Sequence, residues 1–240
     1  MLSTLNKTIL TLSLLITSSI TNASLITNGS FEQLLFADNS TAQGLVHNIN
    51  LHSFENKSSA WDIFYALPGW LTTAGNGIEL QKNVVTSSFE GKNHVELDSH
   101  KNGSSNSVMT QSLDSLTIGA EYLLEFSYKA RTNHKNDNGI NVFWYDASTD
   151  FSKTMIADFA INGRSKQSPN WSVQSVLLKA TMDLSFGAFG KQNSLGGLLD
   201  NVSLVKVSNG PVTEVPEPSV FALSLLGFAA LARRQYKKAK

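Results

Sequence analysis

The sequence predicts an all-β fold, a single antiparallel jelly-roll β-sandwich, from two observations. Residues 122–129 (YLLEFSYK) alternate between apolar or aromatic and mostly polar side chains, which is the pattern of a strand with one buried face. Other short β-rich runs are separated by clusters of Asn, Gly, Ser and Asp that favour turns, and helical periodicity is almost absent from residues 24–214. Many short strands without alternating helices indicate a sandwich.

The chain opens with the pattern of a signal peptide, residues 1–23. Lys7 is the positive n-region, residues 9–16 (ILTLSLLI) are the apolar h-region, and Ala23 is a small residue suited to signal peptidase. The alternative, a first strand at 9–16, fits less well because the run lies so near Met1 and behind a single lysine. We therefore expect export through the inner membrane and cleavage after Ala23.

Residues 24–210 are predicted to form the sandwich domain, because no internal repeat divides them. The polar segment 33–60 is expected to be a long surface loop after a first strand near residue 25. Besides 122–129, the expected strands lie at 141–145, 173–178, 184–189 and 202–207.

The composition of this body narrows its function. Without Lys7, Glu217 and the five cations of the C-terminal tail, 13 basic and 18 acidic residues remain, a net charge near −5. Nucleic acid is not an expected partner, because its phosphates require a basic surface. The chain has no cysteine, so the core, with or without a bound metal ion, must stabilise it in place of disulfides.

The C-terminal residues combine a stiff linker, an apolar run and a basic end. Fourteen helical residues cover roughly 21 Å against about 30 Å of hydrocarbon, so we expect temporary anchorage in the inner membrane with the cations on the cytoplasmic side. The alternative is a buried or amphipathic helix of a soluble protein. The linker spans residues 211–218 and contains Pro216, Glu217 and Pro218. The hydrophobic helix and basic tail follow at 219–240. This second segment consists of the apolar run 219–232 and a basic end that starts with Arg233 and Arg234.

This order of parts resembles the PEP-CTERM sorting signal of Gram-negative bacteria. The resemblance implies an exosortase-type membrane protease as a processing partner, with removal of the tail near the Pro-Glu-Pro motif. It also implies a final location at the cell surface or in the extracellular matrix. Two hydrophobic ends with different tasks would then flank an exported body.

Eight sequence blocks of the body occur in a recognisable order. They are 25–32 (LITNGSFE), 67–70 (LPGW), 77–80 (GIEL), 91–99 (GKNHVELDS), Gln111, 119–122 (GAEY), Arg131 and 195–204 (LGGLLDNVSL). In this order they resemble the domain-of-unknown-function 642 family, whose galactose-binding-like sandwich is similar to carbohydrate-binding modules. The resemblance implies binding of a polysaccharide, such as an exopolysaccharide of a biofilm matrix, rather than catalysis.

Aromatic residues and one arginine are the candidate sugar contacts. A pyranose ring packs its C–H face on an aromatic plane, while its hydroxyl groups take hydrogen bonds from neighbouring polar side chains. The alternative is that the rings fill the core, which we expect for Trp70 and Phe64, and that the arginine pairs with an acid. The candidates are Trp61, Trp144, Tyr145, Trp171 and Arg131.

Glu32 and Asp200 are the candidate metal ligands. They would come together if the two ends of the domain pair, and Ca²⁺ prefers carboxylate and carbonyl oxygens in such irregular segments. Galactose-binding-like relatives often hold a structural Ca²⁺ at this junction, which the resemblance carries to these two residues. The alternative is a hydrogen-bonded pair without metal.

Catalysis has little support in the sequence. It contains no nucleophile elbow, zinc-binding His-Glu-x-x-His motif, phosphate-binding glycine loop or thiol. Glu79, Glu96 and Asp98 are the only carboxylates we consider for a glycosidase pair. A polysaccharide-active enzyme is therefore the alternative to a non-catalytic binding protein.

Overall fold

The computed structural model describes residues 23–100, 103–117, 119–133, 137–145, 170–179 and 183–207. The chain divides into one unit that ends at Lys206 and a second from Val207 to Lys240, of which only Val207 is described. The predicted signal peptide, apart from Ala23, and the predicted sorting tail therefore lie outside the described residues. Within these ranges no helix is long and apolar enough to cross a bilayer.

Two antiparallel sheets form the described fold, which confirms the all-β prediction. The six-stranded sheet has the order β1 (Ala60–Phe64), β4 (Ile78–Lys82), β5 (Asn93–Glu96), β13 (Gly197–Lys206), β9 (Glu121–Ala130) and β11 (Ser172–Lys179). The five-stranded sheet has the order β10 (Gly139–Tyr145), β12 (Asp183–Phe189), β8 (Val108–Ser112), β3 (Trp70–Ala74) and β2 (Ala66–Leu67). A two-stranded ribbon, β6 (Asp98–His100) with β7 (Ser104–Asn106), and a one-turn helix, α1 (Leu51–Phe54), complete the described elements.

The core lies between the two sheets, in a jelly-roll-like sandwich. The Phe126 ring of β9 meets the Phe186 ring of β12 with centroids 5.2 Å apart, and Trp70 of β3 contacts Phe186 at 6.0 Å. All three rings are buried, and burial of one such side chain contributes about 1.5–3 kcal/mol. The predicted inward face of β9 is confirmed, since Tyr122, Leu124, Phe126 and Tyr128 are all in this core.

The outer face of the six-stranded sheet is polar at its centre. Leu80 and Val95 point into the core, so the alternation of β4 and β5 turns their neighbours outward. Glu79 nevertheless remains only 5% exposed and Glu96 0% exposed, because other segments of the chain cover them. This covered polar surface positions the site described below.

Two sequence predictions about the first part of the domain are wrong. Residues 25–32 form turns instead of a first strand, because Asn28 and Phe31 adopt left-handed φ angles of 54° and 59° that break the pleat. The segment still runs beside β13, where Val202 N donates to Gly29 O at 2.9 Å. Residues 33–60 are not simply a surface loop, since they contain α1, whose two apolar ends are buried.

Candidate functional site

A cleft of about 360 Å³ lies on the outer face of the six-stranded sheet. Six segments contribute to it. They are strands β1 and β4, the residues that follow β4, the end of β6, the residue that follows β9, and the residues that precede β13. Its volume falls within the range of small-ligand sites, about 300–1,000 Å³. The lining residues are Trp61, Glu79, Gln81, Val84, Val85, His100, Arg131, Ser194 and Leu195.

Trp61 is the aromatic residue of this cleft. The side chain is partly exposed, and its ring meets the His47 ring edge-on, with centroids 4.4 Å apart and planes at 87°. His47 belongs to a loop that the buried Asp62 carboxylate organises by accepting hydrogen bonds from the backbone N–H groups of Val46, His47 and Ile49 at 2.9, 3.1 and 3.0 Å. The loop therefore fixes the ring from one side.

Gln81 connects Glu79, which lines the cleft, with Glu96, which is buried beneath the cleft floor. Glu79 and Glu96 are direct register partners on β4 and β5. Gln81 Nε2 donates to Glu79 Oε1 at 2.8 Å and to Glu96 Oε2 at 2.7 Å. Gln81 Oε1 is buried and has no hydrogen-bond partner in the described part of the chain. One buried acceptor beneath the cleft therefore lacks a partner in the described part of the protein.

Arg131 closes the polar floor on the side of β9. Its Nη1 donates to Glu96 Oε2, in a buried ion pair, and to Ser194 O at 2.7 Å. Glu96 also accepts from Gly196 N through Oε1. The arginine side chain is 21% exposed, so part of the guanidinium faces the cleft while part is held by protein.

Burial shifts the acid–base behaviour of both floor carboxyl groups. It raises the pKa of Glu96 to about 8, with the charge of Arg131 opposing the shift. It also raises the pKa of Glu79, opposed first by the hydrogen bond from Gln81. The pair consequently tends to retain a proton near neutral pH. The floor then offers hydrogen-bond donors and acceptors with little net negative charge, an arrangement suited to a neutral polyol.

The structure brings two of the predicted sugar contacts, Trp61 and Arg131, into one cleft. Trp171 lies outside the cleft lining: its Nε1 donates to Ser87 O at 3.0 Å, and its ring packs against His94 at 5.6 Å. Tyr145 is the last residue of β10, and its side chain lies outside the described part of the chain.

Trp144 is corrected from a ligand contact to a core residue. Its side chain is 4% exposed and belongs to the hydrophobic core, and Nε1 donates to the backbone carbonyl of Lys179. Neither face of the ring is free to stack on a sugar. Alternation along β10 places Trp144 with the buried Val142, a choice of face that the sequence pattern left open.

Several residues of the cleft were missed by sequence analysis. Gln81 carried a usable signal, because it lies two residues after Glu79 and therefore on the same face of β4. Ser194 and Leu195 come from a segment with no such periodicity, and their position depends on long-range contacts with Arg131 and Asp98. His100 was missed as well, since it is the last residue of the short strand β6, which has no periodic pattern.

Glu32 and Asp200 are brought together at the junction of the chain ends, as expected if these ends pair. Glu32 Oε1 accepts from Lys92 N and Asn93 N at 2.7 and 2.6 Å, and Asp200 Oδ2 accepts from Phe89 N and Glu90 N at 2.8 and 3.0 Å. Both carboxylates thus bind one segment, residues 89–93, which we call the junction loop.

The residues of this junction fit a calcium ion in ligand type. Burial raises the pKa of Asp200 to about 7, and the negative charge of Glu32 adds to the shift. Two neighbouring carboxylates of this kind gain from a divalent cation. Among the described residues no group of three His, Cys, Asp or Glu side chains could hold a metal ion. A calcium ion bound by Glu32 and Asp200 would therefore need backbone carbonyl oxygens as further ligands.

Neither a family model nor a curated protein matches the chain. Among solved structures, it is similar to the K1 cleaved adhesin domain of Lys-gingipain from Porphyromonas gingivalis, with 15% identity, 64% of this chain and 100% of that chain covered, and a TM-score of 0.45. It is also similar to the carbohydrate-binding module TmCBM61 in complex with beta-1,4-galactotriose, with 12% identity, coverage of 77% and 99%, and a TM-score of 0.41.

The enzymatically active domain of bacteriophage CBA120 tailspike protein 4 is a third similar structure, with 14% identity and a TM-score of 0.37. The match covers 58% of this chain but only 19% of the tailspike chain. The function is therefore inferred from the residues of the cleft itself.

Proposed function

We propose that residues 24–210 bind a carbohydrate in the cleft on the outer face of the six-stranded sheet. The observation that carries the proposal is the combination of one partly exposed aromatic ring, Trp61, with a floor of buried polar groups that includes the unpartnered Gln81 Oε1. A sugar offers both kinds of surface, an apolar C–H face and hydroxyl groups. The resemblance of the body's sequence blocks to carbohydrate-binding modules supports the same ligand class.

The charges around the cleft favour a neutral or weakly charged polymer. Arg131 is already held by hydrogen bonds to Glu96 and Ser194 O, and the raised pKa values of Glu79 and Glu96 reduce the negative charge of the floor. Hydroxyl groups then make hydrogen bonds without an uncompensated buried charge. The protein is proposed to bind or organise exopolysaccharide rather than to degrade it.

Replacement of Trp61 by alanine tests this proposal. Affinity electrophoresis of the full chain on xylan, β-galactan and alginate gels first identifies a polymer that binds. Trp61→Ala should then weaken retention on that polymer about tenfold or more, because the stacking surface is lost. Trp171→Ala is the matched control, since this tryptophan lies outside the cleft lining, and it should stay within about twofold of wild type. Equal retention of wild type and Trp61→Ala, or no retention on neutral and acidic polymers, would contradict the proposal.

A polysaccharide-active enzyme is the second candidate function. Glu79 and Glu96 oppose each other on neighbouring strands, and a raised pKa is typical of a general acid. Against this role, Glu96 is already occupied by Gln81, Arg131 and Gly196. Asp98, the third carboxylate considered, holds the backbone N–H groups of Asn193 and Leu195 and is not part of the cleft lining.

Release of reducing sugar decides between the two functions. An enzyme should release it from the polymer that binds, and Glu79→Gln should abolish the release while retention on the gel persists. Retention without any release would remove the enzymatic candidate.

We also propose that the chain is exported and then sorted by its C-terminal residues. The pattern of residues 1–23 supports export, and Pro216, Glu217 and Pro218 followed by an apolar run and Arg233 support transient inner-membrane anchorage and processing by an exosortase-type protease. Mass spectrometry of the protein from the envelope and medium should find a C-terminus close to the Pro-Glu-Pro motif. A mature protein that still ends at Lys240 would contradict processing.

A further inference from the structure

A second group of buried carboxylates lies beside the cleft, apart from Glu32 and Asp200. Asp98 is the first residue of β6 and is 0% exposed, and Asp137 precedes β10 and is 1% exposed. Both bind the same residue: Asp98 Oδ2 accepts from Asn193 N at 2.9 Å, and Asp137 Oδ2 accepts from Asn193 Nδ2 at 3.0 Å. We call Asp98 and Asp137 the loop pair, and residues 190–195 the wall loop.

Each member of the loop pair retains one oxygen without a partner. Asp98 Oδ1 and Asp137 Oδ1 are buried and accept no hydrogen bond within the described residues. A third buried oxygen, Asn106 Oδ1, is also without a partner there. Asn106 is the register partner of Asp98 across the ribbon, and its Nδ2 donates to Gly190 O of the wall loop at 3.0 Å. Three unpartnered oxygens thus border one short loop.

Such an arrangement is costly without a positive charge. An isolated buried carboxylate loses several kcal/mol of hydration, and a native fold normally compensates it with a cation or a full set of donors. Neither member of the loop pair forms an ion pair with a described lysine or arginine. The backbone and amide donors of Asn193 and Leu195 satisfy only the Oδ2 atoms.

We propose that the loop pair and Asn106 bind a calcium ion. Carboxylate and amide oxygens are the ligands that Ca²⁺ prefers, and its shell of six to eight oxygens tolerates an irregular loop that also supplies carbonyls and water. This site is separate from Glu32 and Asp200, which hold the junction loop. It uses different residues and stabilises a different segment.

The ion would act on the cleft through the wall loop. Ser194 and Leu195 line the cleft, Ser194 O accepts from Arg131, and Ser194 Oγ is hydrogen-bonded to His100 Nδ1 at 2.8 Å. Neutralising the loop pair fixes Asn193, the residue before these two. Calcium is therefore expected to strengthen carbohydrate binding, a consequence that rests on the proposed function, whereas calcium binding itself does not.

Isothermal titration of the chelator-treated full chain with Ca²⁺ tests the site directly. Asp137→Asn keeps the shape and an acceptor for Asn193 but removes one charge, so it should weaken one class of calcium site by about tenfold or more. Glu32→Gln is the matched control, because it changes the separate site of Glu32 and Asp200. It should leave the affinity of the calcium site at the loop pair unchanged. Mg²⁺ is expected to bind more weakly, since it demands a stricter geometry.

Asn106→Asp provides a second variant in case Asp137→Asn does not fold. It adds a third carboxylate, so its melting temperature should be lower than that of wild type in EDTA and should rise more than that of wild type on addition of Ca²⁺. Calcium titrations that are identical for wild type and Asp137→Asn, or a melting temperature of Asn106→Asp that does not respond to Ca²⁺, would overturn the proposal. Calcium binding without any polysaccharide retention would leave the site standing and reject only the proposed function.

Discussion

Glu96 illustrates at the residue scale how one buried charge shapes the cleft. The residue is 0% exposed, and its two oxygens accept from Gly196 N, Gln81 Nε2 and Arg131 Nη1. Gln81 belongs to β4, Arg131 follows β9 and Gly196 precedes β13, so the Glu96 carboxyl group of β5 connects three separate segments. A buried ion pair of this kind adds little net stability, but the loss of one partner leaves an uncompensated charge.

At about pH 9, above the pKa of Glu96, Arg131→Ala is therefore expected to destabilise the fold by about 3–5 kcal/mol, because Glu96 then carries a buried charge without its counter-ion. Arg131→Ala combined with Glu96→Gln should recover a large part of that loss, since the charge is removed as well. Urea unfolding of both variants measures the difference. Lys129→Ala serves as the control. Lys129 Nζ donates to Thr86 Oγ1 at 2.7 Å and forms no ion pair within the described residues, so its loss should cost no more than about 1 kcal/mol. Equal stability of the single and the double variant would contradict this account of the pair.

The tryptophans show what sequence analysis can predict about individual residues. The class of residue was predictable, because aromatic rings and an arginine are natural sugar contacts, and Trp61 and Arg131 do share the cleft. The buried face was not predictable for Trp144, because an alternating strand specifies which residues share a face but not which face meets the core. That choice depends on the partner strand, which is distant in sequence.

At the scale of elements, the N-terminal segment forms no strand and is held by side chains in addition to its backbone hydrogen bonds with β13. Gln111 of β8 accepts from Thr27 N at 2.7 Å through Oε1 and donates to Thr27 O at 3.0 Å through Nε2. The side-chain amide thus forms with Thr27 the two hydrogen bonds that a backbone peptide group of a neighbouring strand would form. Trp70 Nε1 adds a hydrogen bond to Asn28 O at 3.2 Å.

Gln111→Leu should lower the free energy of unfolding by about 1–3 kcal/mol, because the two hydrogen bonds between the buried Gln111 amide and the backbone of Thr27 are lost. Gln174→Leu is the matched control. Within the described residues the Gln174 side chain bonds only to Ser172 Oγ, in an exposed contact on β11, and its replacement should stay within about 0.5 kcal/mol of wild type. Chemical denaturation of the two variants makes the comparison. A Gln111→Leu protein as stable as the control would show that other contacts hold the segment.

Elements with strict alternation were predicted well, and those with special backbone geometry were not. Strand β9 was expected at 122–129 and spans Glu121–Ala130. Strand β13 was expected from residue 202 but begins at Gly197, because an irregularity between Asp200 and Ser203 interrupts the two-residue period that the sequence would display. The turns of residues 25–32 were missed for a related reason, since left-handed φ angles at Asn28 and Phe31 leave no periodic signal.

At the scale of the whole molecule, buried ionisable groups set how stability depends on pH. Burial raises the pKa of Glu96 to about 8 and that of Asp200 to about 7, so the folded state holds their protons more tightly than the unfolded chain does. Burial lowers the pKa of His94 to about 4, so the folded state resists protonation there. The carboxyl groups thus favour folding at low pH and the histidine favours it at high pH.

The melting temperature in EDTA is expected to fall by several degrees between pH 6.5 and 8.5. The stability that protonated Glu96 and Asp200 contribute is complete below their unfolded pKa values. It is lost as the pH rises through about 7 for Asp200 and about 8 for Glu96. The contribution of His94 to stability changes little above pH 6.5, its ordinary pKa. A loss of about 1 kcal/mol corresponds to roughly 2–4 °C in a domain of this size. Glu96→Gln, which keeps a neutral side chain of the same shape, should flatten this slope, and the addition of Ca²⁺ should flatten it further by neutralising Asp200. A melting temperature that rises from pH 6.5 to 8.5 in the wild-type protein would contradict the burial of these two carboxyl groups.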